Sequence, residues 1–179
     1  LQEAFSGARV FQGGGNEILG TDLQDMTLEA ATNALQRLYP QFHIADHAGW
    51  PKVYEKAQKG APDALKSVGD DGEPAKNPVC KAILAFIAGG KKGIDIRKNF
   101  EGATYGWPGD AVDGGLQVLL VAGLIRAQDD KGQTIDPKDL ERKVIGKTMF
   151  KVESATVSAA QRIQIRKVLQ KVGLTAKQG

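Results

Sequence analysis

Glycine-rich segments beside lysines are the first places where this sequence could do chemistry, because such loops hold nucleotide phosphates in many enzymes. The glycines at residues 13–15 are not followed by the Gly-Lys-Ser/Thr that a phosphate-binding loop needs. A Gly-Lys pair stands at residues 90–91, but Ala85 occupies the place of the first glycine and Lys92 replaces the hydroxyl that binds magnesium. The sequence therefore predicts no nucleotide site of this type and no cofactor.

Three polar residues, His43, Asp46 and His47, form a cluster with metal-like spacing. Residues four apart on a helix share a face, so both imidazoles could reach one ion. No further ligand stands at an obvious spacing, and Ile44 occupies the position of the glutamate in a zincin motif. We interpret the cluster as ordinary polar residues near a helix start and predict no metal site.

The remaining candidates for catalysis have simpler explanations. Cys80 lies in an apolar run with no basic residue placed to form a thiolate, which predicts buried packing. Asp110 and Asp113 could act as paired carboxylates, but they fall in the first turns of a predicted helix, where acidic residues complement the dipole. We therefore predict no catalytic residue and no enzyme activity in this chain.

The charge is distributed unevenly along the 179 residues, although 24 Lys+Arg against 21 Asp+Glu leave a net charge of only +3. Residues 1–73 hold 6 basic and 11 acidic residues, residues 74–137 hold 8 and 7, and residues 138–179 hold 10 and 3. The basic end suggests an anionic partner. The alternative is that these lysines and arginines only cover solvated helix faces.

The single cysteine cannot form an internal disulfide, and no apolar run approaches the length of a membrane helix. These features favour a cytoplasmic protein with no membrane contact. The chain begins at Leu1 rather than Met, which suggests a piece of a longer protein.

The predicted fold class is mainly α (α+β), with a helical segment followed by a winged helix-turn-helix with small β-hairpins. Residues 1–20 read as a hairpin remnant around a Gly/Asn turn, which would complete a sheet outside this chain. Residues 21–73 form a helical segment, whose first helix is capped by Thr21. In that helix Leu28, Ala31, Leu35, Leu38 and Phe42 make one apolar stripe. A second helix is predicted from Ala48 to Lys59, with Trp50, Val53 and Ala57 on its inner side.

Residues 74–136 have the element order of a winged helix, and residues 69–74 are the predicted boundary before it. Pro78 begins one helix, residues 94–100 form a second, and a third runs from Pro108 to Ala122. Two short strands then flank the charged turn at residues 129–132, which would be the wing. Residues 137–179 are predicted to add a strand at 147–153 and a basic amphipathic helix that begins at Ser158.

Nucleic-acid binding is one partner hypothesis, in which DNA is held non-specifically. The third helix presents Asp110, Asp113 and Gln117 and no Lys or Arg, which argues against readout of bases by this helix. The basic residues that could hold a phosphate backbone are Lys91, Lys92, Arg97, Lys98, Arg126, Lys131, Arg162, Arg166, Lys167 and Lys171. Tyr105 and Trp107 could stack on bases, although packing inside the protein is the alternative.

The stretch from Asn77 to Ala127 resembles part of the large P-loop ATPase-like protein of BREX (bacteriophage exclusion) and Pgl phage-resistance systems. The most specific piece is the sequence YGWP at residues 105–108, followed by DAVD at residues 110–113, and residues 34–57 resemble the same family. The resemblance covers about residues 20–172. It implies a fragment of a longer phage-defence protein whose ATPase site lies elsewhere, since no Walker residue stands in this chain.

Two functions follow as hypotheses from these observations. In the first, the chain is a non-catalytic winged-helix accessory region that contacts DNA through its basic surface. In the second, it is a structural or protein-interaction module that docks another domain of the parent or another defence subunit. The third helix with its acidic residues favours the second hypothesis, and the basic C-terminal end favours the first.

Overall fold

Two small antiparallel sheets and a larger number of helices make up the computed structural model, which describes residues 7–153 and residue 168. The predicted mainly helical α+β class is therefore confirmed at this level. The basic helix predicted from Ser158 lies outside the described residues.

The N-terminal hairpin joins β1 (Val10–Phe11) to β2 (Glu17–Ile18) in an antiparallel pair. An ion pair between Arg9 and Glu17 links the two strands. The hairpin packs against helix α1 (Leu23–Leu38), and the buried side chains there are Ile18 of β2 and Met26 of α1. Neither of these two residues belongs to the main core cluster, so the hairpin and the start of α1 form a separate small contact.

Helix α1 begins one residue later than the sequence suggested. Asp22, rather than Thr21, is its cap: the Asp22 side chain accepts a hydrogen bond of 2.9 Å from the Asp25 N–H. The helix ends before Pro40, and a 3₁₀ turn (Phe42–Ile44) follows. A carboxylate at the cap accepts from the free amides of the first turn, which explains why an acidic residue serves here.

Helix α2 (Trp50–Gln58) buries Trp50, Val53 and Ala57, which confirms the predicted inner side of this helix, and it buries Tyr54 as well. Two 3₁₀ turns (Ala64–Val68 and Pro74–Lys76) lead to helix α3 (Pro78–Ile87). One cluster of buried side chains runs from Ala45 to Phe150. The loop at residues 69–74 therefore connects elements that share a core and does not separate two cores.

Helix α4 (Gly93–Glu101) and helix α5 (Gly109–Val121) follow, with the short strand β3 (Lys91–Lys92) before α4. Strands β4 (Ile125–Gln128) and β5 (Thr134–Ile135) form the predicted hairpin. A short helix α6 (Arg142–Ile145) precedes β6 (Met149–Val152). The sheet order is β3-β6-β4-β5, so β6 lies between strands that come much earlier in the chain.

Helix α5 is buried on every side, from Ala111 to Leu120. Its two central glycines allow this, because a Cβ on Gly115 would lie 2.7 Å from Ile83 Cδ1 and one on Gly114 would lie 3.1 Å from Trp50 Cε3. Helices α2 and α3 can therefore approach α5 closely. The helix that would read a DNA groove in a winged helix is thus the central core helix of this chain.

Candidate functional site

The basic residues singled out by the sequence divide into several groups in the structure. In the sheet, Arg126 pairs with Lys151, and Lys92 pairs with Met149 across β3 and β6. Directly opposed residues of antiparallel strands share a face, and alternate residues of one strand share a face as well. Lys92, Arg126 and Lys151 therefore lie together on the outer face, opposite the buried Phe150. Arg126 also contacts Glu153 at 3.5 Å.

The other candidate lysines that the structure describes lie outside this outer face. The Lys91 ammonium lies 5.4 Å from the centroid of the Phe86 ring, at the edge of the sheet. Lys131 stands in the β4–β5 turn, where the Asp129 carboxylate accepts from its N–H at 2.8 Å, and Asp130 adds a second acid. Lys98 is exposed on α4. Four further candidates, Arg162, Arg166, Lys167 and Lys171, lie outside the described residues.

Arg97 does not belong to a surface set. Its Nε and Nη2 atoms donate to the two oxygens of Asp113 at 2.9 and 2.8 Å, and Nη2 also donates to the Arg142 carbonyl at 3.1 Å. Arg142 in turn pairs with Asp110 and lies 4.4 Å from the centroid of the Tyr54 ring. This charge network ties α4, α5 and α6 together. Asp110 and Asp113, interpreted from the sequence as complements of the helix dipole, are therefore partners of arginines that no local sequence pattern identifies.

The aromatic pair considered for base stacking packs against the core, with Trp107 buried and Tyr105 half-buried. Trp107 is only 2% exposed, and its ring stacks on Phe100 with centroids 4.7 Å apart and planes 8° from parallel. Its indole N–H donates to the Gln41 carbonyl at 2.8 Å. Tyr105 meets both rings edge-on. Trp107 thus has no free face for a base, and packing explains the pair.

Polar side chains of α2 and α5 hold a strap, residues 137–142, by its backbone carbonyls. The Gln117 amide donates to the Pro137 carbonyl, and the Tyr54 hydroxyl donates to the Leu140 carbonyl at 2.7 Å. Gln58 also donates to Leu140, at 3.3 Å. Residues 137–142 are therefore fixed by hydrogen bonds from α2 and α5. Gln117 and Asp113, polar side chains of α5, thus make their hydrogen bonds inside the protein.

Cys80 is inert in this environment. Burial raises the pKa of its thiol to about 12, and the Asp70 carboxylate adds to the increase. The thiolate that a nucleophile requires is therefore not formed near neutral pH. Tyr54 shows the same effect more weakly, since burial raises the pKa of its hydroxyl and the Arg142 charge opposes that rise.

The histidines are engaged with backbone groups. His43 Nδ1 lies 3.0 Å from the Pro40 carbonyl oxygen, and His47 Nδ1 accepts from the Gly49 N–H at 2.9 Å. Among residues 7–153 and Val168, no group of three or more His, Cys, Asp or Glu side chains is placed to hold a metal ion.

The apolar stripe of α1 faces outward. Leu28 is 67% exposed and Leu35 is 57% exposed, and Leu38 and Phe42 also lie on the surface. Met26 is the buried side chain of α1, and Ala30, one turn further on, accepts a hydrogen bond from Gln12 in the hairpin. A stripe of this kind ordinarily packs on a core. Here the opposite side of the helix is attached, and the leucines are left without a covering element in the described part of the chain.

A groove of about 780 Å³ borders this stripe at the C-terminal end of α1. The loop after α4 forms one wall, because Thr104 exchanges backbone hydrogen bonds of 2.9 Å with Leu38 and Gln41. Gly106, at φ +61, lies directly against the Tyr39 ring. The apolar and aromatic residues that line the groove are Leu35, Tyr39, Pro40 and Phe42, and the polar ones are Thr32, Gln36, His43, Asp46 and Glu101.

Comparisons of this chain with protein-family models, with curated proteins and with solved structures find no match. Within the part of the chain that the structure describes, none of the helices has both the length and the apolar character needed to span a membrane.

Proposed function

We propose that this chain is a non-catalytic protein-interaction module, an accessory region of a larger phage-defence ATPase-like protein, which docks a partner helix on α1. The exposed apolar stripe carries the proposal. The resemblance of residues 77–127 to the BREX and Pgl protein supports the wider setting, and Gly106 of the YGWP sequence in that resemblance lines the groove beside the stripe.

The spacing of the stripe supports a helix as the occupant. Leu28, Ala31, Leu35 and Leu38 alternate three- and four-residue steps, which is the pattern of a seam between two helices. Burying one exposed leucine fully is worth about 1.5–3 kcal/mol, so several leucines together provide a useful affinity. Large contiguous apolar patches are uncommon on monomeric proteins and mark interaction sites.

A designed peptide tests this function directly. The probe is a labelled amphipathic helix of about 20 residues with leucines at three- and four-residue steps. We expect the full chain to bind it and the double variant Leu28→Ser/Leu35→Ser to bind at least about tenfold more weakly, since the variant removes two buried contacts. Ile94→Ser is the matched control, because Ile94 is exposed to a similar degree on α4. Equal binding by all three proteins, or no binding at all, contradicts docking on α1.

Non-specific DNA contact is the second candidate function, and the shared outer face of Lys92, Arg126 and Lys151 favours it. Each phosphate contact contributes about 0.9 to the slope of log affinity against log salt. We expect Lys92→Ala/Lys151→Ala to reduce that slope on random duplex DNA by about 1.8. Lys56→Ala/Lys59→Ala on α2 is the control. Affinity that is absent at low salt, or that does not fall with salt, excludes this candidate.

Residues 78–152 are, in this proposal, a variant of a winged helix-turn-helix. Three observations support this: β3 stands between the first two helices, β4 and β5 follow the third, and β3 pairs with β6 in one sheet. The variant differs because α5 is buried. Amide hydrogen exchange tests this variant of the fold. We expect the backbone amides of α5 to exchange slowly both with and without duplex DNA. A change of exchange in α5 on adding DNA contradicts the variant.

A further inference from the structure

We infer that the partner segment docked on α1 is a cationic amphipathic helix, with lysines or arginines along one edge of its apolar seam. This inference rests on the proposed function and adds the charge of the partner. It follows from the distribution of acidic side chains around the stripe.

One edge of the stripe carries a polar row that begins with two acidic residues. Asp25, Glu29, Thr32 and Gln36 follow one another at four-, three- and four-residue steps, so they form a row beside Leu28 and Leu35. The first two members are carboxylates, and the last two line the groove. The row therefore runs from the start of α1 into the groove.

The groove continues the same charge. Asp46 and Glu101 are both exposed and are its two carboxylates. No Lys or Arg belongs to the side chains that line it. Arg37 is the basic residue of α1, and it lies about 100° further round the helix than Gln36, away from this row. Two carboxylates at the start of the polar row and two in the groove at its other end are thus available to a partner.

The other edge of the stripe is uncharged. Thr27 and Ala34 lie there, each four residues before a member of the stripe, Ala31 and Leu38 respectively. A partner helix that lies along the stripe therefore meets acids on one side and small neutral side chains on the other. Charge complementarity of this kind sets the partner and its orientation more than the total affinity. A helix with basic residues on one edge fits, and one with acidic residues there is repelled.

Two peptides with the same leucine seam test the inference on the full chain. One has lysines along one edge of the seam, and the other has glutamates at the same positions. We expect the lysine peptide to bind about tenfold more tightly at low salt, and the difference to shrink as salt screens the pairs. The variant Asp46→Asn/Glu101→Gln should reduce the preference, because two of the four carboxylates become neutral. Asp71→Asn/Glu73→Gln, two exposed acids outside the groove, is the control.

The outcomes separate the charge of the partner from docking itself. Equal affinity for both peptides overturns the cationic partner and leaves the docking function standing. Failure of both peptides to bind overturns the docking function. Sedimentation experiments test whether the chain forms a dimer through α1. If the wild-type chain is a dimer and Leu35→Lys is a monomer, a second copy of the chain occupies the stripe, and the inferred cationic partner is overturned.

Discussion

Arg97 on α4 and Asp113 on α5 form a two-pronged ion pair, with Nε–Oδ1 and Nη2–Oδ2 distances of 2.9 and 2.8 Å. The Asp113 side chain is buried, and Arg142 approaches the same carboxylate at 3.9 Å. A carboxylate in this position is stable only because two guanidinium groups compensate for its lost hydration. The pair joins α4 to α5, and Arg97 also donates to the Arg142 carbonyl at the start of α6. It therefore links two core helices to α6.

Removal of one partner of this pair should be costly. We expect Arg97→Ala to lower the free energy of unfolding by about 2–3 kcal/mol, because it leaves Asp113 with a weaker partner in a buried position. Arg97→Lys should recover only part of the loss, since an ammonium cannot make both bonds in the plane of the carboxylate. Urea unfolding measures the difference. Lys98→Ala, the exposed neighbour, should change stability by less than about 0.5 kcal/mol. Equal effects at both positions would show that the ion pair contributes little.

Close helix packing at Gly115 gives a second prediction. A methyl group there would lie 2.7 Å from Ile83 Cδ1 and 3.3 Å from Val79 Cγ1. Gly115→Ala should therefore lower stability by about 1–3 kcal/mol through overpacking, despite the better helix propensity of alanine. Thermal unfolding measures the loss of stability. The control is Gly89→Ala, where nothing lies within 4 Å of the added carbon. A gain in stability at Gly115 would mean that α3 and α5 are further apart than described.

The buried thiol gives a prediction about pH. The pKa of Cys80 rises from 9.0 to about 12 on folding, because burial penalises the thiolate. Above pH 9 the unfolded chain releases this proton while the folded chain keeps it, so the contribution to stability is present below pH 9 and is lost as pH rises towards 12. Relative to Cys80→Ala, the free energy of unfolding should fall by up to about 1.4 kcal/mol per pH unit in that range. A parallel pH dependence of the two proteins would contradict a buried thiol. In the folded state at pH 8, Cys80 should also resist thiol reagents.

Local signals in the sequence were enough to place most of the elements. The starts and ends of helices were predicted from single residues: a proline at the start of α3, acidic residues in first turns, and glycines after helices. Proline and glycine restrict or free the backbone directly, so their effect does not depend on distant residues. The amphipathic face of α2 was predicted correctly for the same reason, since its periodicity is strong over a short helix.

Relations between distant residues could not be predicted in this way. Periodicity shows that the leucines of α1 share a side, but it does not show what that side meets, and in the structure it meets solvent. The partners of Asp113 lie on α4 and α6, and no local pattern selects Arg97 from the other basic residues. In the same way, β6 enters the sheet between β3 and β4 by pairing with residues far along the chain.

The orientation of α1 leads to the last prediction, which compares two leucines. Leu35 is 57% exposed on α1, and Leu119 is fully buried on α5. Leu35→Ala should change the free energy of unfolding by no more than about 0.5 kcal/mol, since the side chain loses few contacts. Leu119→Ala should cost about 2–5 kcal/mol, because it removes buried methyl groups and leaves a cavity. Denaturant titration of both variants measures the contrast. A large loss for Leu35→Ala would place the α1 stripe against a core and would remove the observation on which the docking function rests.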